Sequence, residues 1–204
     1  MTNFLHRGDL PADVDFGDAV AVDTETLGLN LQRDALCVVQ LSAGDGNAHV
    51  VQLDRSSYDA PNLKRLMGDP SVTKIFHFGR FDLAMMKRHL GVDATPVFCT
   101  KIASRLVRTY TDRHGLKDLC RELLGVELSK QQQSSDWGAA ELSEAQLQYA
   151  ASDVLHLHEL RARLTAMLER EGRMDVASAC FSFLPVRAEL DLAGWPDEDI
   201  FAHV

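Results

Sequence analysis

Ala19-Val20-Ala21-Val22-Asp23-Thr24-Glu25 is the stretch from which the rest of the chain is read. Small and β-branched apolar residues run directly into two carboxylates set two apart. A strand alternates its side chains between faces, so Asp23 and Glu25 project to the same side. A carboxylate in apolar company carries a desolvation cost unless a cation or hydrogen bonds compensate it. Two further acids are placed in the same way. Asp82 follows the aromatic stretch Ile75-Phe76-His77-Phe78-Gly79-Arg80-Phe81, and Asp153 closes Tyr149-Ala150-Ala151-Ser152-Asp153 inside an Ala- and Leu-rich helical pattern. Tyr149 and Asp153 are four apart on that helix and share a face. Four such carboxylates brought together repel one another without a metal, and oxygen-only ligands suit Mg²⁺ or Mn²⁺ rather than zinc. The expected chemistry is metal-assisted phosphoryl transfer.

Around this stretch, strands come first and helices later. Val20 to Asp23, Ala35 to Ser42 and Ala48 to Leu53 read as strands with short connections, which predicts an antiparallel meander. Pro61 to Met67 reads as a short helix and Thr73 to Phe78 as a fourth strand, with His77 and Phe78 on it. Asp82 to Leu90 is helical and stops at Gly91. Val97 to Cys99 is a fifth strand that feeds a helix over Lys101 to Tyr110, and Leu116 to Leu124 is helical up to Gly125. Ser143-Glu144-Ala145-Gln146 has the form of a capping box and opens one long helix to about Glu171. Arg173 to Phe183 is a last helix. Strands followed by helices that pack on the sheet make an α+β or mixed α/β layered design.

At 204 residues the chain is expected to form one domain, with a core over about 15–172 and a tail over 173–204. Its 46% apolar and 25% charged residues are ordinary for a globular protein. The net charge of −9 argues against a sequence-independent grip on long nucleic acid, which depends on many Lys and Arg. Short nucleic acids stay within reach of metal ions and a local basic pocket. The four cysteines are far apart and in apolar surroundings, as reduced buried thiols are. Met1 to Pro11 has no apolar signal region and no run is long enough for a bilayer, so a cytoplasmic location is expected.

Together and in order, Asp23 with Glu25, Asp82, and Tyr149 with Asp153 resemble the DEDD superfamily of 3′→5′ exonucleases, in the subgroup with a tyrosine four residues before the last Asp. Leu116-Lys117-Asp118-Leu119-Cys120, Lys130 and Ser135-Asp136-Trp137 look like ribonuclease D. Several segments resemble the small nanoRNase-type members of that family. These are 98–104, 108–117, 130–137 and the tail from Phe183-Leu184-Pro185 through Gly194-Trp195 to Asp199-Ile200-Phe201-Ala202-His203. The resemblance implies a ribonuclease H-like mixed five-stranded sheet flanked by helices. It also implies hydrolysis of dinucleotides and very short RNA to 5′-mononucleotides, with two Mg²⁺ (or Mn²⁺). Full-length ribonuclease D carries further helical domains, and the lack of room for them before Val204 favours the nanoRNase form over tRNA maturation. The rivals are a broader 3′→5′ exonuclease on RNA or DNA ends, and a nuclease-fold binding module without catalysis. The intact set of five residues argues against the second.

The same resemblance implies roles. Asp23, Glu25 and Asp153 hold the metal that activates water, Asp23 bridges to a second with help from Asp82, and Tyr149 orients the nucleophilic water. Thr24 lies between two of these ligands and counts with the substrate-binding candidates. Leu29 is either a wedge between two terminal bases or an ordinary core leucine. His77 and Phe78 are both placed to contact sugar or base; for His77 the alternative is a core histidine satisfied by backbone. Lys101, Arg105 and Arg108 are spaced to line a phosphate-binding helix face or to serve solubility. Gln131 to Ser135, with Gln133 and then Trp137, reads as a lid over the substrate or as a polar loop. The apolar tail (Leu184, Val186, Leu190, Leu192, Trp195, Ile200, Phe201) packs on its own subunit or on a neighbour in the ring-like homo-octamer that the resemblance implies.

Overall fold

The structure, a computed structural model, describes residues 2–129, 132 and 134–203. Its centre is a six-stranded mixed sheet of order β1-β4-β3-β2-β5-β6. The strands are β1 (Asn3–Arg7), β2 (Ala19–Thr26), β3 (Leu36–Ser42), β4 (Ala48–Gln52), β5 (Thr73–Phe76) and β6 (Val97–Cys99). All five expected strands are present, and β2, β3 and β4 form the expected antiparallel run. β1 adds a sixth, parallel to β4 at the sheet edge. None of its residues is fully buried, so it lacks the apolar run or alternation that marks the others. Pairing with β4, rather than burial of its own side chains, makes it a strand.

β3 is buried along its whole length and β2 over Ala19–Val22, so both faces of the sheet centre must be covered. The helices are α1 (Pro61–Gly68), α2 (Arg80–Leu90), α3 (Thr100–Val107), α4 (Leu116–Leu119), α5 (Glu144–Leu155), α6 (Leu157–Arg170) and α7 (Met174–Ala193). A single π-helical turn, Cys120–Leu124, continues α4 to Gly125, whose φ of 72° ends it. α5 lies against β2, β3 and β4; α6 packs on α3 and reaches β2 and β5; α7 packs on α2, α3 and β6.

Several expected boundaries differ; the helix expected over Lys101 to Tyr110, for one, ends at Val107. β5 ends at Phe76, so His77 and Phe78 belong to a turn rather than a strand. Phe78 takes a φ of 65° there, and a Cβ on Gly79 would stand 2.6 Å from that of Phe76. The chain thus folds back sharply and starts α2 two residues before Asp82. The expected long helix from Ser143 to Glu171 is two helices broken at His156. No Pro or Gly marks the break. It lets Ala150, Ala151 and Val154 bury against the sheet while Leu157, Leu160, Leu164 and Leu168 bury elsewhere. Finally, α7 runs ten residues past Phe183, through Pro185, to Ala193. A proline inside a helix removes one hydrogen bond. Burial of Ala177, Phe181, Leu184 and Ala188 offsets that loss. Asp191 on the same helix takes both Nε (2.5 Å) and Nη2 (2.6 Å) of Arg80, the first residue of α2. No helix among the described residues is long and apolar enough to cross a membrane.

Candidate active site

The end of β2, the first turn of α2 and the middle of α5 meet at one cleft of about 670 Å³. Asp23, Thr24 and Glu25 come from β2, Asp82 from α2, and Tyr149 and Asp153 from α5. One carboxylate oxygen from each of Asp23, Glu25 and Asp153 lies within 4.8 Å of the others. Asp82 stands outside that trio but lines the same cleft, is buried, and accepts a hydrogen bond from the Thr24 hydroxyl. The register of β2 on β3 shifts between Glu25 and Thr26, where pairing gives way to the loop that carries Leu27 and Leu29.

The electrostatics show what the cluster lacks. Burial first, then the charges of Asp82, Asp153 and Glu25, hold Asp23 well above the usual carboxylate range. Burial and the charges of Asp153 and Asp82 push Glu25 up to about 9. Asp82 is raised by burial to about 6, with the Thr24 hydroxyl pulling the other way. Acids that hold their protons to this degree lack compensating positive charge. A divalent cation fits on donor chemistry: an all-oxygen set, partly buried and mutually repulsive. Tyr149 hydrogen-bonds Asp153, and its hydroxyl is raised by burial and then by the charges of Asp153, Glu25 and Asp23. It therefore stays a neutral donor and acceptor.

The remaining candidates separate. Leu29 lines the cleft and is 83% exposed, which makes it a projecting side chain and not a core leucine. Its loop is tied down by Thr26 Oγ1 donating to Gly28 O (2.6 Å) and by Asn30 N donating to Asp34 Oδ2 (2.9 Å). His77 lines the cleft with its Nδ1 2.9 Å from the Thr100 hydroxyl, and burial lowers it to about 3, so the imidazole is neutral. Trp137, with Ser134 and Ser135, also lines the cleft; its ring is buried 6.1 Å from that of Tyr149. It is a wall packed into a small cluster with Cys37, Val38, Val50 and Leu142, not a loose cap. Gln133 lies outside the described residues.

Arg108 is a correction. It is fully buried, donates to Ser104 Oγ (3.1 Å) and Arg113 O (2.7 Å), and pairs with Glu122. A helix-spacing argument for a phosphate-binding face therefore fails at this residue, because the end of α3 turns it into the protein. Lys101 points the other way, its Nζ 4.1 Å from the centre of the Phe78 ring at the cleft. Phe78, expected with His77 at the substrate, lines the cleft, and Phe81 lines it as well. Phe81 was not singled out from the sequence; its signal was the aromatic run before Asp82, whose turn the strand reading obscured.

A β-strand with paired acids, joined at a cleft by an acid on one helix and a Tyr–Asp pair on another, defines a class. Residues 9–169 match the 3′-5′ exonuclease family, and the chain belongs to it. Among solved structures it is similar to NrnC of Brucella melitensis with bound Mg²⁺, at 61% identity and a TM-score of 0.96, with all of both chains covered. It is equally similar to the same protein bound to pGG, at 62% identity and a TM-score of 0.97, again over the whole of both chains. Among curated proteins it is 38% identical to ribonuclease D of Gluconacetobacter diazotrophicus over 156 residues, which is 76% of this chain and 39% of that one. The chain thus spans about two fifths of the length of that relative.

Proposed function

We propose that the chain is a metal-dependent 3′→5′ exoribonuclease that hydrolyses dinucleotides and very short RNA to 5′-mononucleotides. The observation that carries this is the Asp23–Glu25–Asp153 trio beside Tyr149 and Asp82 in one cleft. The likeness over the whole chain to a protein solved with Mg²⁺ and with pGG supports it. Asp23, Glu25 and Asp153 would hold one Mg²⁺ or Mn²⁺, and Asp23 with Asp82 a second. Bound there, the cations supply positive charge for the attacking and leaving oxygens of an in-line displacement. The chain's own residues do the rest. Tyr149, whose hydroxyl burial favours in the neutral form, orients the water. Water adds across the P–O3′ bond: its oxygen joins phosphorus and the departing 3′ oxygen takes up a proton. Leu29, exposed at the cleft, and the Trp137 wall offer apolar surface to bases without reading sequence.

Leu29 and Trp137 both line the cleft of about 670 Å³, a volume suited to a short substrate. The net charge of −9 gives little to a longer phosphate backbone. In this reading the chain is one exonuclease domain whose tail docks through α7, and it works in the cytoplasm as a homo-oligomer, an octamer by likeness to the nanoRNase group. The broader-exonuclease reading is favoured by one observation, the likeness to ribonuclease D. A time course with Mg²⁺ on 5′-phosphorylated RNAs of two to seven nucleotides separates the two. Dinucleotides should be cleaved faster than heptamers at equal concentration, and removing the 5′ phosphate should weaken binding. Equal rates at every length, with no effect of the phosphate, would leave the broader exonuclease standing.

A further inference from the structure

Trp137 is the partition between two hollows. On one side lies the cleft; on the other is a cavity of about 390 Å³ whose lining includes Arg7, Cys37, Gln52 and Arg55. The Trp137 ring packs in a small cluster between the two, and the backbone on either side of it is held as well. After Trp137, the carbonyls of Gly138, Ala139 and Ala140 accept from Arg55 (2.8 Å), Gln52 (2.9 Å) and Arg7 (3.3 Å) in turn. Before it, the Asp136 carbonyl and the Ser135 hydroxyl accept from Gln146 Nε2 at 3.0 and 3.2 Å.

Gln146 has a second set of bonds. Its Oε1 accepts from Ser143 N (2.9 Å) and Ser143 Oγ (3.1 Å), closing the capping box at the start of α5. The side chain is buried, and its amide uses both its donor and its acceptor ends. Tyr149 and Asp153 follow three and seven residues later, on the same helical face. One amide group therefore joins the first turn of the helix that carries the Tyr–Asp pair to the wall facing that pair.

We infer that Gln146 is a positioning residue: it fixes the Trp137 wall relative to Tyr149 and Asp153 and so sets the width of the substrate slot. It touches no reacting atom and acts through Ser135, Asp136 and Trp137. The consequence for turnover rests on the exonuclease reading; the consequence for Trp137 does not. Gln146→Glu separates the two duties. A glutamate keeps the oxygen that caps Ser143 and is favoured at that position of a capping box. It lacks the N–H donors and sets a carboxylate oxygen against the Asp136 carbonyl.

The experiment uses a Trp195→Phe background, which leaves Trp137 as the single tryptophan of the two in the chain. Tryptophan emission, thermal melts, Mg²⁺ titration, and kcat and KM on a 5′-phosphorylated dinucleotide are measured with and without Gln146→Glu. The variant should fold and titrate Mg²⁺ as the parent does. Trp137 emission should shift to the red, and KM should rise about tenfold with kcat changed far less. Ser135→Ala, which removes one acceptor and leaves the cap intact, should shift emission in the same direction by less. If emission and KM are unchanged in a folded Gln146→Glu protein, Gln146 is a helix cap and nothing more. If emission shifts but no variant hydrolyses any nucleotide, the positioning role stands and the exonuclease reading falls.

Discussion

The Thr24 hydroxyl donates to Asp82 Oδ1, joining β2 to α2 inside the cleft. That bond does most to hold Asp82 down against the burial that raises it. Thr24 thus readies for a cation the one acid that stands outside the Asp23–Glu25–Asp153 trio.

Thr24→Val keeps shape and removes that donor. A buried carboxylate that loses a hydrogen bond holds its proton more tightly. The Mg²⁺ concentration for half-maximal turnover should rise about five- to twentyfold, while Thr24→Ser stays close to the parent. Metal titrations of turnover for the three proteins decide it; an unchanged Mg²⁺ requirement in Thr24→Val removes Thr24 from the site.

Tyr149→Phe deletes one hydroxyl and little volume. If that hydroxyl orients water, kcat should fall at least about tenfold, roughly 1.4 kcal/mol of transition-state stabilisation, with KM nearly constant. Steady-state kinetics on a dinucleotide test this. A change confined to KM would move Tyr149 from the chemistry to binding.

The raised acids give the metal-free protein a defined pH response. Unfolded, Glu25 titrates near 4.5; folded, it titrates at about 9. Between those values the folded state binds more protons, so stability falls as pH rises through that window. Asp82, raised to about 6, adds to the loss at its lower end. Melts in EDTA at pH 5.5, 7 and 8.5 should show a falling Tm, and the gain from added Mg²⁺ should grow with pH. Asp23→Asn and Asp153→Asn should nearly abolish hydrolysis yet melt at or above the parent's temperature without metal. Near-normal turnover in either variant would falsify the metal-site assignment.

Arg108 should behave as a structural residue. Arg108→Met removes its bonds to Ser104, the Arg113 carbonyl and Glu122 and should destabilise the fold by about 2–4 kcal/mol. Denaturant unfolding and dinucleotide KM, measured together, separate this from a phosphate contact. A stable protein with a raised KM would restore Arg108 to the substrate site.

The local chemistry of the site was legible in the chain because each part of it is a short-range pattern. Asp23 and Glu25 stand two apart on a strand, Tyr149 and Asp153 four apart on a helix, and each acid is set in apolar residues. Those periods and that mismatch of charge with surroundings survive without knowledge of any partner. The capping box at Ser143 and the stop at Gly91 are of the same kind. Failures came where the deciding contact is distant in sequence. The break at His156 has no local breaker, β1 is a strand only because β4 lies beside it, and α7 passes Pro185 because α2 and β6 cover its apolar face.

The sequence by itself determined which acids pair and that Tyr149 shares a face with Asp153, since strand and helix periods set each pair's shared face. Tertiary structure decided what those groups meet. The paired strand β2, the turn at Phe78 and Gly79, and the seating of α5 on the sheet bring Asp23, Glu25 and Asp153 within 4.8 Å and give Asp82 to Thr24. The same packing turned Arg108 inward, left Leu29 projecting, and set Trp137 as a wall held by Gln146. The physical reason is that burial, repulsion between like charges and satisfaction of a buried donor depend on atoms supplied by other segments, and side-chain periodicity carries no record of them.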